Sequence, residues 1–395
     1  MMSELEKDEL IKFLGMVPDP RCRRGIRYRF ADLLLMCIYA VLAGYSEPTE
    51  IEYYVELNFS YFRERIQLER VPSHDTFSRV LRFTDFEGLS ASLGAWLRER
   101  FPDICERYHG LKVLHVDGKA SRGAAEKSKG EKPIYHLNAM YEGESIGVEM
   151  KRVGEKENEI SCLPDFLKKF NLKDTIVTVD AIGCNTTVID AIQSGHGNYV
   201  IPVKENQKNL LKTILKETEE LEKSGRFKKL DRTETLNKKH GRLEKVTMTM
   251  IDDTSFIYEK LGADSFYGSI ARIGIMDKKI TAMKGGEETV SRSRSILITD
   301  VEEMSVENFL KIKAAHWNIE MQHWLLDIQL REDDKTSRKG AAITNGGILR
   351  RFCMMVRKHD EALSGKPMNR FLMANFHDVT RIEKLLFEKI AITEA

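Results

Sequence analysis

Residues 111–119 read LKVLHVDGK, and residues 175–182 read TIVTVDAI. Each is a short apolar run rich in β-branched residues, and each ends on an aspartate. That pattern predicts two buried β-strands, carrying Asp117 and Asp180 near their C-terminal ends. The segments around them alternate in kind. Tyr135 to Tyr141 and Ser145 to Val153 read as strands joined by the turn Glu142-Gly143-Glu144, and a polar, lysine-rich loop, Ala120 to Lys132, precedes them. Asn158 to Phe170 and Asn185 to Ser194 read as helices, each opened by an Asn. Asn198 to Val203 reads as a further strand. Alternation of this kind predicts an α/β sheet with helices packed on it.

Upstream of residue 105 the texture is helical. Leu5 to Leu14, Ala31 to Ala43, a stretch from Glu47 to about Ile66, Ser73 to Arg82 and Phe86 to Arg100 read as helices. The basic segment PDPRCRRGIRYR breaks the first two apart. Helices interspersed with arginine predict an all-α N-terminal domain that contacts DNA, with Ser73-His74-Asp75-Thr76 aiming a helix N-terminus at a phosphate. A plain helical scaffold is the alternative.

Downstream, Asn209 to Gly225 reads as a charged helix. Lys245 to Ile251, Ser269 to Met276 and Ser295 to Thr299 read as strands with basic loops between, which marks an insertion at about 226–300. Then comes SVENFLKIKAAHWNIEMQHWLLD, residues 305–327. Ser305 is a good N-cap and Glu307 suits the first turn. Leu310, Ala314, Trp317, Met321, Trp324 and Leu325 recur near a period of 3.6, which predicts one long helix with those residues on its buried face. Glu320 lies at the margin of that face. The stretch Arg331 to Gly340 is polar, and Asn345 to Lys358 and Met368 to Lys389 read as C-terminal helices.

The chain has 395 residues, 42% of them hydrophobic, and a net charge of +1. That is enough for a sizeable core, and the near-neutral total hides local clusters. Arg21, Arg23, Arg24, Arg27 and Arg29 form one, and Lys238, Lys239, Arg242 and Lys245 another. Lys223, Arg226, Lys228 and Lys229 form a third, and Arg350, Arg351, Arg357 and Lys358 a fourth. Such clusters are either phosphate-binding or merely solvated faces. Six cysteines without CxxC spacing argue against a structural zinc site or a disulfide framework and fit a reducing cytoplasm. The most apolar run, Leu33 to Gly44, is shorter than the roughly 20 residues a membrane helix needs.

Two aspartates ending neighbouring strands, joined by a glutamate from a packing helix, would make an all-oxygen pocket. Hard divalent cations prefer such a pocket. Two such ions about 4 Å apart can activate a water or a 3′-hydroxyl and stabilise the leaving oxygen. Taken singly, each aspartate also fits an ordinary cap or turn.

Several motifs together resemble the DDE transposases of bacterial insertion sequences, most closely the H-repeat-associated (ISAs) family. They are VDGK at Val116–Lys119, VTVDAIGC at Val177–Cys184 and HWNIE at His316–Glu320, followed by HWLLDIQLRED. VPSHDTFSRV at Val71–Val80, GEKENEI at Gly154–Ile160, VKENQKNL at Val203–Leu210 and HGRLE at His240–Glu244 extend the likeness along nearly the whole chain. The resemblance implies an RNase H-like catalytic domain, residues 106–395, after a DNA-binding domain, residues 1–105. It implies Asp117, Asp180 and Glu320 as catalytic and metal-binding residues for Mg²⁺ or Mn²⁺. It also implies element-end and target DNA as partners, and a cytoplasmic, nucleoid-associated place. A homodimer on DNA is expected, because two ends must be held together. Lys119, Arg122, Lys204, His240, Arg242, His316 and His323 are the candidates for DNA contacts. Where related transposases carry a tyrosine-arginine-glutamate-lysine pattern, this chain has Lys313, His316 and Asp327 at its Tyr, Arg and Lys positions. The expected activity is hydrolysis at element ends followed by strand transfer. A nuclease that does not transpose and a non-catalytic DNA-binding protein are the alternatives.

Overall fold

The computed structural model describes residues 9–22, 24, 26–101, 107–121, 134–144, 147–154, 159–239, 242–262, 265–284, 287–334, 340–360, 363 and 365–388. Arg122, His240 and most of the loop from Ala120 to Lys132 lie outside them. The fold is mixed α/β with a helical N-terminal region. It opens with six helices, α1 (Glu9–Gly15), α2 (Phe30–Leu42), α3 (Pro48–Leu57), α4 (Phe59–Ile66), α5 (His74–Phe83) and α6 (Phe86–Arg100). The strands β1 (Arg107–Tyr108), β2 (Leu111–Ser121), β3 (Ile134–Tyr141) and β4 (Met150–Val153) follow. Next come α7 (Glu159–Leu167), β5 (Thr175–Thr178), α8 (Thr186–Ser194), β6 (Asn198–Val203) and α9 (Lys208–Lys223). Then β7 (Arg232–Lys239), β8 (Arg242–Ile251), α10 (Ser255–Leu261), β9 (Arg272–Lys284) and β10 (Glu287–Thr299) succeed one another. The chain closes with α11 (Val306–Ala315), α12 (Trp317–Ile328), α13 (Ala342–Lys358), α14 (Met368–His377) and α15 (Val379–Phe387).

Two compact units share this chain. One comprises Met1–Ile104, Gly118–Gly154 and Glu320–Ala395; the other comprises Cys105–Asp117 and Glu155–Ile319. In the first, α2 is apolar but for Asp32, which pairs with Arg29 at 2.8 Å, and is buried along nearly its whole length, as a core helix must be. Gly44, at φ +93, ends it in a conformation that side chains resist. Glu47 and Glu50 form a reciprocal capping box at the start of α3. The single helix expected to run on to Ile66 is divided at Asn58. The Asn58 amide donates to the Tyr54 carbonyl (2.9 Å), a local bond that competes with helix continuation. Helix α13 packs against α2, α5 and α6. Its Asn345 donates to the carbonyls of Leu81 and Thr84 (2.9 Å each). The C-terminal helices therefore share a core with the N-terminal ones. The expectation that Arg350 and Arg351 belong to a solvated or phosphate-facing cluster is overturned, because they are 3% and 1% exposed.

The second unit is built on the strand order β2-β5-β6-β10-β9-β8-β7, with β1 beside β2. The pairs β2–β5 and β5–β6 are parallel, and the rest of the series from β6 onward is antiparallel. Val113, Ile176, Val200, Met248, Met250 and Leu297 supply one buried cluster, capped by Phe309 and Ile312 of α11. The insertion is more regular than its sequence implies. Strand β7, RTETLNKK, reads as a basic loop because it is mostly exposed and has almost no apolar residues to alternate.

The helix expected over 305–327 is two helices meeting at His316. Ser305 caps α11 as expected, accepting from the Asn308 amide at 3.2 Å. The expected buried face is not the buried face. Trp317, Met321 and Trp324 are 60%, 45% and 50% exposed. Ile312, Ala315, His316, Ile319, His323 and Leu326 turn inward instead. Two histidines on the inner side and two tryptophans on the outer side invert the hydropathy pattern.

Candidate functional site

Strands β2 and β5 fix the geometry of the two aspartates. In their parallel pairing His115 stands opposite Thr178. Asp117 lies two residues beyond the one, inside β2, which runs on to Ser121, and Asp180 lies two beyond the other, just past the end of β5. The C-terminal end of a parallel strand such as β5 is where open α/β sheets place their chemistry. Neighbouring strands lie about 4.8 Å apart, and both carboxylates lie near enough to His316 to act on its charge.

Asp180 closes a 3-10 turn, Ala181–Gly183, by accepting from the Ala181 amide at 2.6 Å. A Cβ on Gly183 would overlap Val179, so the turn needs glycine there. From the end of β6, Lys204 reaches back to Asp180 (3.4 Å), while the Asn206 and Gln207 side chains grip the carbonyls of Ala181 (2.7 Å) and Cys184 (2.9 Å). The VKENQ and VDAIGC motifs are thus one device that fixes the loop behind an exposed carboxylate. Partial burial works to raise the Asp180 pKa, but the Ala181 amide and the Lys204 ammonium outweigh it and hold the carboxyl below its usual value.

Beneath the acids runs a buried polar chain. Thr178 Oγ1 lies 2.7 Å from His115 Nδ1 and 2.7 Å from His316 Nδ1, and the two rings meet edge to face. Burial pushes His316 down to about 4, with His115 and Lys313 adding to it against Asp117 and Asp180. His316 is therefore neutral at pH 7. Sequence reasoning gave no role to His115 or Thr178, because a polar residue inside an apolar strand looks incidental until its partner is known.

A second ionic cluster lies in the other unit, around Glu332, which is 5% exposed. Arg351 meets it at 2.9 Å, Arg350 at 3.7 Å and Lys119 at 3.1 Å. Lys119 also pairs with Asp327 at 2.5 Å, and Arg351 donates to Asn138 at 2.8 Å. Burial alone would raise the Glu332 pKa, but the three cations hold it well below the ordinary value. Asp327, at the position of the lysine in related patterns, is raised by burial despite Lys119. Buried His136, on β3, is driven down to about 3 by burial and Arg351.

Glu320 stands exposed in the first turn of α12. Among the expected DNA contacts, Lys204 and Arg242 are exposed. Lys119, His316 and His323 are 6%, 8% and 9% exposed, and Lys119 and His316 are engaged internally. Arg122 and His240 lie outside the described residues. The oxygen donors Asp117 and Asp180 are of the type a magnesium-like ion takes, which completes its shell with waters and substrate phosphates. Among the described residues, no group of three His, Cys, Asp or Glu side chains forms a ready-made cage.

Two regions of the chain match known protein families. Residues 108–356 match the transposase DDE domain, and residues 11–97 match the DDE_Tnp_1-associated domain. The chain belongs to the DDE transposase family. Within it, the H repeat-associated putative transposase YhhI of Escherichia coli K12 is 25% identical over 90% of this chain and 92% of its own length. The putative protein YbfL of the same strain matches to the same extent. The putative transposase YncI of Escherichia coli O157:H7 is 25% identical over 84% of this chain and 83% of its own. The chain is a DNA transposase of the H-repeat family. DDE transposases generally use divalent metal ions. No helix among the described residues is long and apolar enough to cross a membrane.

Proposed function

We propose that Asp117, Asp180 and Glu320 form the metal-binding, catalytic triad of an RNase H-like transposase domain spanning 106–395, and that residues 1–105 recognise the element's ends. The parallel register that pairs His115 with Thr178, and so brings Asp117 of β2 beside the end of β5 where Asp180 stands, carries this reading. Bound there, Mg²⁺ would activate the attacking oxygen and neutralise charge at the phosphorus. Asp117 is held by the backbone of β2. Asp180 is held by the Ala181 amide and by the Asn206 and Gln207 grip, which leaves little reorganisation for the reaction. Lys204 keeps Asp180 ionised, and its exposed ammonium is suited to pass from the carboxylate to a substrate phosphate. Neutral His316, locked to Thr178, supports the floor of the site rather than touching DNA.

In the first step water attacks a phosphodiester at the element end, and the bond to the 3′-oxygen breaks, leaving a 3′-hydroxyl. In the second, that hydroxyl loses its proton and attacks a phosphodiester of target DNA, displacing a target 3′-oxygen. Of the expected DNA contacts, Lys204 and Arg242 have the exposure for phosphate contact, whereas Lys119 acts inside the fold. The chain acts in the cytoplasm at the nucleoid, as a dimer on paired ends. The test is single-turnover cleavage of terminal DNA in Mg²⁺. Asp180→Asn should abolish it while DNA binding persists; cleavage at the wild-type rate would refute the triad. Cleavage with no strand-transfer product would reduce the protein to a nuclease.

A further inference from the structure

The antiparallel sheet β8–β9–β10 carries a charge pattern that its fold does not require. Lys245 stands opposite Lys279, and Lys279 stands opposite Arg292. Three cations therefore lie in line across three neighbouring strands, each Cβ about 5 Å from the next. Like charges placed directly opposite destabilise a sheet. The adjacent row on the same face shows the usual remedy, since Thr247, Asp277 and Arg294 stand in line and Arg294 binds Asp277 at 2.7 Å and Glu222 at 2.8 Å. Lys245 has one diagonal acid, Glu234 at 2.8 Å. Lys279 and Arg292 are exposed, and among the described residues neither has an acidic partner.

A groove of about 600 Å³ runs over this row, lined by Lys245, Lys278, Lys279, Arg292 and Arg294, with Asp277 as its one acid among the described residues. At its border Arg294 lies 5.9 Å over the Phe227 ring, within a 3-10 turn whose Arg226, Lys228 and Lys229 are exposed. The row spans three strands, about 10 Å. An open basic track of that length fits a run of phosphates along a nucleic-acid strand better than a single small anion.

We infer that the face of β8–β10 bearing Lys245, Lys279 and Arg292 is a docking surface for the phosphate backbone of duplex DNA, separate from the carboxylate site. This rests on the transposase reading above and adds to it the surface that carries DNA across the insertion.

The experiment measures binding of the full-length protein to a 30-base-pair duplex by fluorescence anisotropy as a function of salt. Every phosphate that a variant no longer neutralises should lower the slope of log K against log salt by about 0.9, so the triple variant Lys245→Ala, Lys279→Ala, Arg292→Ala should lose roughly 2.7. Its affinity should fall on the order of ten- to a hundred-fold, its Tm should be unchanged or higher because repulsion is relieved, and a Lys245→Arg, Lys279→Arg variant should keep the wild-type slope. An unchanged slope in the triple variant overturns the inference. So does an equal loss in a control lacking Lys173, Lys212 and Lys216, or a lowered Tm that assigns the row to folding. The parent reading fails separately, if wild-type protein ignores DNA or if Asp180→Asn still cleaves it.

Discussion

Glu332 and Asp180 are both carboxylates held below their ordinary pKa by cations, yet they are built for opposite ends. Glu332 is enclosed, with Arg350, Arg351 and Lys119 around it and Lys119 shared with Asp327. Its charge is consumed by the fold. Asp180 is exposed, backed by one amide and one solvated lysine at 3.4 Å. Its free oxygen faces outward from a turn that other side chains have made rigid. The contrast teaches that a lowered carboxyl pKa does not by itself mark a catalytic acid. What marks it is a fixed backbone combined with an unspent charge.

The sharpest way to break this contrast is to remove each charge without changing shape. Asp180→Asn or Asp117→Asn should cut cleavage by a thousand-fold or more, since several kcal/mol of transition-state charge stabilisation disappear. Asp180→Asn should move Tm by little, because Asn can still cap the turn after residue 180. Differential scanning calorimetry beside single-turnover kinetics checks both halves. Glu332→Gln should do the reverse. Leaving Arg350 and Arg351 buried without their anion should cost about 3–5 kcal/mol in chemical denaturation. Any protein that stays folded should retain much of its cleavage rate.

A smaller effect should appear on acidification. His316 and His136 have folded pKa values near 4 and 3, below their ordinary 6.5. The unfolded chain therefore binds protons that the native state refuses. Their contribution is fully present above about pH 6.5 and is lost progressively as pH falls below it toward those folded values. Unfolding free energy measured from pH 7.5 to 4 should decline on that side, and His316→Gln should flatten part of the slope. The smallest effect belongs to Lys204→Ala. An exposed pair contributes about 0–1 kcal/mol, so stability should barely change, while the Asp180 carboxyl relaxes toward its ordinary 3.8 in an NMR titration.

The sequence made the existence of β2 and β5 legible because each places buried apolar residues ahead of an acid, but not their limits: β2 runs past Asp117 to Ser121, and β5 stops at Thr178 before a 3-10 turn. The limits of α6 were plain, since Asp85 caps it and its last turn is basic. The inner face of α12 was not legible. Its buried His323 is polar and its exposed Trp317 and Trp324 are apolar, so periodicity selected the outer side. Glu332 was hidden in a polar stretch after α12, because its partners Arg350 and Arg351 come from α13 and local composition cannot show a pairing of that kind. The grip of Asn206 and Gln207 on the turn after Asp180 was hidden for the same reason. Two neighbouring motifs were readable, but not the hydrogen bonds that join them.

The most direct test of the account is a crystal of the full chain with terminal DNA, soaked in Mn²⁺ and read by anomalous scattering. A manganese peak coordinated by the carboxylates of Asp117 and Asp180, with Glu320 in the same shell, is the predicted result. A peak at Asp327 or Glu332, or DNA-bound crystals with no peak at Asp180, would contradict it.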